Sequence, residues 1–201
     1  MPARIDPQRR RQLVVDAAFR LVVAEGMQGV SLRKVAAEAG LNIGSVRHYF
    51  EGHEDLLAAA ARESGERMGR RLARHPAEGL AGLSGEPAVE ALRELVEQVL
   101  PVDGQRRAEA VVVTELILAS RTRPVFAPVA ARMAADLHEV LREALAALGH
   151  PGPDAGARQI SALVGGLTLD AITPHGALGP AQVRETLEEA IRQLLGVPRR
   201  G

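Results

Sequence analysis

Apolar residues recur every third or fourth position along almost the whole chain, the spacing of amphipathic helices. Asp6-Pro7 is a good helix start, an acidic cap followed by proline in the first turn. Val14, Ala17, Ala18, Leu21 and Val22 then make one apolar face, and Gly26 is expected to stop the helix. Ser31 opens a short second helix carrying Leu32, Val35, Ala36 and Ala39, broken by Gly40. Asn42 opens a short third helix from Ile43 to about Tyr49. Glu51-Gly52 punctuates again, and a long helix is expected over 53–74, with Leu56, Leu57, Ala60, Ala61, Met68 and Leu72. The stretch 75–87 is rich in Gly, Pro and Ala and is expected to be a loop. Five further helices are expected at about 88–100, 105–121, 124–148, 155–172 and 180–195, and Val197–Gly201 as a frayed tail. No strand pattern or internal repeat competes. The fold class is all-α: an N-terminal three-helix domain over 1–52, containing a helix-turn-helix at about 31–50, followed by a larger helical domain over 53–201.

The segment from Ser31 to Phe50 is the most informative. Two short helices flank a tight turn at Gly40, where glycine supplies a left-handed backbone that a side chain would resist. Small Ala36 and Ala37 let the third helix cross closely, and Val35, Ala39, Leu41 and Val46 can fix the crossing angle. The third helix presents Ile43, Gly44, Ser45, Arg47 and His48 near its start, a geometry that suits the major groove of duplex DNA. Arg47 can reach a guanine edge or a phosphate. Ser31, Arg33 and Tyr49 can add hydrogen bonds to the sugar-phosphate backbone.

Charge sharpens this picture. The chain is neutral overall, yet residues 1–50 hold eight Lys and Arg against four acids. That leaves the head at +4 and the remainder at −4, an asymmetry that favours a phosphate-binding head. Aromatic residues are few and Trp is absent, which disfavours a single-strand binder built on stacking platforms. Cysteine is absent, so neither a disulfide framework nor a thiolate metal site is expected. No metal-ligand spacing stands out, and neither metal nor cofactor is expected. No apolar run approaches a membrane span, and the polar, basic N-terminus is not a signal peptide. A cytoplasmic protein is expected.

The same residues carry a family resemblance. Phe19-x6-Gly26, Val35-Ala36-x2-Ala39-Gly40-Leu41, Gly44-Ser45-Val46-x2-Tyr49-Phe50 and Glu54-x-Leu56-Leu57 occur in order and at the right spacing. In these features the chain resembles the TetR family of bacterial regulators. The resemblance implies a homodimer whose heads enter the two halves of a near-palindromic double-stranded operator. It also implies a ligand-binding and dimerisation domain in which a small-molecule effector releases the DNA. Carried over by position, it assigns DNA contacts to Ser31, Arg33, Asn42, Ile43, Gly44, Ser45, Arg47, His48, Tyr49 and His53. Arg47 stands where many relatives have an aromatic residue. His53 stands where a lysine commonly binds phosphate, so operator affinity is expected to rise modestly on acidification.

In the larger domain, two apolar stripes resemble a dimer interface, against the plainer reading of intramolecular core: Ile160, Leu163, Val164 and Leu167 beside Gly165-Gly166, and Val183, Leu187, Ala190, Ile191 and Leu194. Glycine is costly inside a helix, so the pair points to close approach of another helix. The helix over 105–121 is apolar almost all round and is expected to be buried. Glu115 in its middle would need a partner, with Arg121, Arg132 or His138 available. Thr114, Glu115, Arg121, Phe126, Met133 and His138 are the candidate effector contacts, against the plainer reading of a structural ion pair. No nucleophile elbow, phosphate-cradling loop or His/carboxylate set supports an enzyme. The alternative function is an activator, or a regulator controlled by a protein partner.

Overall fold

A computed structural model describes residues 6–198. The basic residue Arg4 and the last three residues of the expected tail lie outside them. Among the described residues the secondary structure is helical, without strands. The helices are α1 (Pro7–Gly29), α2 (Leu32–Glu38), α3 (Ile43–Tyr49), α4 (His53–Leu72), α5 (Gly85–Glu97), α6 (Gly104–Ala119), α7 (Ala127–Ala147), α8 (Pro153–Ile172) and α9 (Pro180–Leu195). Short 3-10 turns at Ala77–Leu80 and Pro124–Phe126 precede α5 and α7.

Most boundaries follow the local chemistry that the chain announces. Asp6 caps α1 by accepting from the Gln8 N–H at 3.1 Å, with Pro7 in the first turn. Gly26 leaves helical geometry at φ 70° and ψ 170°, as expected of the stop, but a further helical turn runs on to Gly29. α9 spans the expected range, while α5 to α8 differ from theirs by up to three residues at one or both ends; α5 starts at Gly85, where a loop was expected.

The chain divides into two compact units, and the division is not a single cut. The first unit takes the chain through Glu66 together with Val111–Ala130; the second takes Arg67–Ala110 and the chain from Ala131 onward. This differs from a contiguous boundary at 52/53, because the second half of α6 contributes to the head's core. Val112, Leu116 and Phe126 are buried with Val14, Val15, Ala18, Val35, Val46, Phe50, Leu56 and Leu57.

The second unit buries a separate core. Val89, Leu92, Val96 and Leu100 meet Leu141, Leu145, Ile160, Val164, Val183, Leu187 and Ile191. Arg192 of α9 forks onto Glu86 of α5, and Arg184 of α9 reaches Glu97 of α5 at 3.1 Å. A buried ion pair ties α4 to α6 in this unit. Arg71 forks onto the fully buried Glu109 at 3.2 and 2.5 Å, while its Nε donates to the Gln98 carbonyl at 3.0 Å. Gln105 completes the set by donating to Glu109 at 3.3 Å.

Three sequence expectations for the body are corrected. First, α6 is not buried all round: Ile117 and Leu118 are about half exposed, at 48 and 55%. Second, the stripe residues Ile160, Val164, Leu167, Val183, Leu187 and Ile191 are buried in the chain's own core. Helical periodicity marks the face that leaves water; it does not say whether the cover is the same chain or another. Third, the partners expected for Glu115 are elsewhere. Arg121 is exposed, Arg132 pairs with Asp136 at 2.8 Å, and His138 pairs with Asp154 at 2.9 Å. That pairing, more than the neighbouring Arg158, holds the Asp154 carboxyl below the usual carboxylate range.

Candidate nucleic-acid interface

The recognition segment is built from local hydrogen bonds. The Ser31 hydroxyl oxygen accepts from the Lys34 N–H at 3.2 Å and caps α2. At the other end of α2, Leu41 N–H donates to the Ala36 carbonyl at 2.9 Å and Gly40 N–H to the Ala37 carbonyl at 3.1 Å. This nested pair is a Schellman ending, which needs a left-handed residue at its centre. Gly40 provides it at φ 65°. Asn42 follows at once, and its side-chain oxygen accepts from the Ser45 N–H at 2.8 Å and the Ser45 hydroxyl at 3.1 Å. The turn therefore closes one helix and opens the next within four residues.

Beneath the turn, Val35, Ala36, Val46 and Phe50 are buried, with Leu32, Ala39, Leu41 and Tyr49 packed at the margin. Removing that face from water fixes how α3 crosses α2. It also dictates what α3 shows outward: Ile43, Gly44, Arg47 and His48 are exposed, and Ser45 and Tyr49 are half-buried. The His48 and Tyr49 rings meet edge to face, 5.1 Å between centroids. Gly44 leaves the backbone bare at the start of α3. A Cβ there would come within 3.2 Å of the Asn42 side-chain oxygen and crowd the cap.

The cations of the head fall into two groups. Arg20 is held by Glu38 at 2.7 Å and Lys34 by Glu25 at 2.5 Å. Arg33 and Arg47, both exposed, make no ion pair among the described residues. Internal pairing thus leaves charge uncommitted on the outer faces of α2 and α3, where a polyanion would draw on it. Sequence reasoning missed Arg11 of α1. Its guanidinium lies over the Phe50 ring, 5.0 Å from the centroid, and ties the first helix to the end of the third. The signal was only a run of arginines, because an aromatic partner 39 positions away is invisible to local spacing.

His53 opens α4 with its Nε2 shielded from water and without a hydrogen-bond partner. That edge of the ring points inward, so a phosphate contact there would use the other edge or the backbone. The candidate effector residues divide between the two units. Thr114, Glu115, Arg121 and Phe126 belong to the first unit, and Met133 and His138 to the second. Phe126 is fully buried in the head core. Glu115 is half-buried and accepts from the Met27 N–H at 3.3 Å. Among the described residues no group of three or more potential metal ligands occurs, and no helix is long and apolar enough to cross a membrane.

Capped short helices around a left-handed glycine, with uncommitted cations outside and a small core inside, define a helix-turn-helix protein of the kind that regulates transcription. Comparison with known proteins gives the lineage. Residues 14–60 match the profile of bacterial regulatory proteins of the tetR family, and residues 87–196 match that of the C-terminal part of BetI-type transcriptional repressors. The chain belongs to the TetR family of bacterial transcriptional regulators. It is 40% identical over 72 residues to the transcriptional regulator PksA of Bacillus subtilis, covering 36% of this chain and 35% of that one. Over 71 residues it is 35% identical to the nicotine-responsive repressor HdnoR of Paenarthrobacter nicotinovorans, 35% of this chain and 37% of that one. These alignments span only about a third of either protein. Whole-chain similarity comes from solved structures. A transcriptional regulator from Rhodococcus sp. Rha1 superposes with a TM-score of 0.83 at 27% identity, over 92% of this chain and 96% of that one. The multidrug binding protein EbrR, complexed with imidazole, does so with a TM-score of 0.66 at 34% identity, over 100 and 96%.

Proposed function

We propose that this chain is a ligand-responsive repressor that binds a near-palindromic operator as a homodimer. The observation that carries the reading is the outward face of α3, held by the Asn42 cap and bearing Arg47, with Arg33 exposed on α2; neither arginine makes an ion pair among the described residues. In this reading α3 lies in the major groove. Ile43, Gly44, Ser45, Arg47 and His48 meet base edges, while Ser31, Arg33, Asn42, Tyr49 and His53 meet the sugar-phosphate backbone. Ser31 and Asn42 spend their acceptors on the caps but keep donors for phosphate oxygens. The twofold spacing of the heads would match successive grooves, about 34 Å apart.

The second copy would dock on α8 and α9. Six residues of the two stripes are buried within the chain, but Leu163, Ala190 and Leu194 remain half-buried. With Gln159, Ile160, Ile191 and Gln193 they line a groove of about 440 Å³. Gly165 and Gly166 are exposed, and open space lies where their side chains would stand. Bare backbone of this kind admits a helix from a partner at close range. The effector would be a small organic molecule, as the names of HdnoR and EbrR indicate for those proteins. Its power to release DNA equals its preference for the released arrangement over the bound one.

Selection of bound duplexes from a random pool tests the core of this reading. A palindrome with half-sites one groove-turn apart is expected, and recovery of no enriched duplex in dilute salt would reject it. Arg47→Ala should then weaken specific binding by roughly 1–3 kcal/mol and relax preference at one base position. Equal weakening across all sequences would instead make Arg47 a backbone contact.

A further inference from the structure

The break in α1 leaves a hydrogen-bonding problem, and its solution comes from a residue 88 positions away. Gly26 departs from helical geometry at φ 70°, so the following Met27 N–H cannot bond back along a regular helix. The Met27 side chain is buried at 4% exposure, and its N–H would be costly to leave unpaired there. Glu115 of α6 fills the gap: Oε2 accepts from Met27 N–H at 3.3 Å. Both carboxylate oxygens also lie 3.8 Å from where a Cβ of Gly26 would stand. The carboxylate therefore rests over bare backbone at the helix break. Glu115 makes no ion pair among the described residues, and the Met27 N–H is the hydrogen-bond partner seen for it.

Four residues beyond Met27 stands Ser31, the cap of α2. The link between them is short, and Val30 within it is buried. A force on the Met27 backbone thus acts directly on the entry to the helix-turn-helix. We propose that Glu115 is a positioning residue for DNA binding, a latch from α6 that holds the α1–α2 corner in the arrangement α3 needs to enter the groove. This rests on the DNA-binding reading above and deepens it, because it assigns control of the head to a residue far along the chain.

Its role is separable from a phosphate contact and from general stability. Glu115→Met keeps an unbranched side chain of similar length and removes the acceptor. Glu115→Gln keeps an acceptor. The full-length variants are compared for binding to the selected palindromic duplex across a range of salt, and for thermal unfolding. Amide exchange at Met27 is followed without DNA. Glu115→Met should weaken binding about tenfold, the size of one hydrogen bond to a charged group. The salt slope should not change, since no phosphate contact is lost. Glu115→Gln should stay within about threefold of the parent, as expected when an acceptor is retained, and Met27 exchange should accelerate in the Met variant alone. Wild-type affinity in Glu115→Met overturns the proposal. So does a loss accounted for entirely by the unfolded fraction, or failure of that variant to fold, because Glu115 is then a structural residue only. If the parent protein binds no duplex while Met27 protection depends on the acceptor, the DNA-binding reading fails and the hydrogen bond itself stands.

Discussion

The pairs α2–α3 and α8–α9 are both helix pairs with an apolar side and a polar side, yet they yield to different kinds of evidence. In α2–α3 each helix has seven residues, too few to be stable alone. Its ends must be written into the sequence, as Ser31, Gly40 and Asn42 are. Once the ends and the small core are set, the outer face has little structural duty left, and what stands there speaks of a partner. In α8–α9 the helices have 20 and 16 residues and carry broad apolar stripes. Such a stripe says that something covers it, without saying what. The chain's own α5 and α7 supply much of the cover, which leaves the margin and the glycine pair to the proposed second copy.

The sharpest way to probe this contrast is to attack what holds the long helices from within. Arg71→Met should be the most damaging change considered. It strips the fork from Glu109, which is fully buried, and leaves a carboxylate in the core with Gln105 as its remaining hydrogen-bond partner among the described residues. Removing one partner of a buried pair costs about 3–5 kcal/mol. Chemical denaturation should show that loss. Arg20→Ala, which breaks an exposed pair in the head, should cost no more than about 1 kcal/mol. Equal effects would mean that the depth of burial does not separate the two units.

Next comes the question of what Leu187 faces. If it is core, Leu187→Ala costs about 2–5 kcal/mol, and the loss is the same at every protein concentration. If it were an interface residue, the loss would vary with concentration, because assembly stabilises by mass action. The counterpart is Leu169→Glu, at an exposed position on α8 one turn beyond the Gly165-Gly166 pair, which should leave the fold nearly intact and, if the proposed second copy docks there, shift the sedimentation profile toward monomer. Concentration-dependent loss in the first variant, with an unchanged profile in the second, would restore the apolar stripes as the interface.

What could be read from the chain follows the same divide. The caps at Asp6, Ser31 and Asn42 and the left-handed turn at Gly40 were legible because each depends on neighbours within four positions, and Val35 and Val46 were legible as core from their helical spacing. The outward face of α3 was legible for the same reason. Long-range pairings were not. Nothing local links Glu115 to the Met27 N–H, Arg71 to Glu109 or Arg11 to the Phe50 ring. Sequence offers Glu115 the cations Arg121, Arg132 and His138, but Arg132 and His138 serve Asp136 and Asp154. Phe126 illustrates the other blind spot. Its bulk suggested a ligand contact, whereas the head core needed that volume.

The smallest effect tests whether the head depends on local chemistry as strongly as this comparison holds. Asn42 caps α3 through one side-chain oxygen shared between the Ser45 N–H and hydroxyl. Replacing such a cap by alanine costs about 1 kcal/mol, and replacing it by glycine only a few tenths. Because α3 has only seven residues, that loss should fall on the recognition helix before it reaches the rest of the head. Asn42→Ala is therefore expected to speed amide exchange from Ser45 to Tyr49 and to shift global unfolding by little. Asp or Ser at position 42 should restore protection, since either can accept from the Ser45 N–H. Unchanged exchange in Asn42→Ala would mean that the buried side of α3, through Val46 and Phe50, holds the helix without its cap. The two helix pairs would then be governed by the same long-range packing.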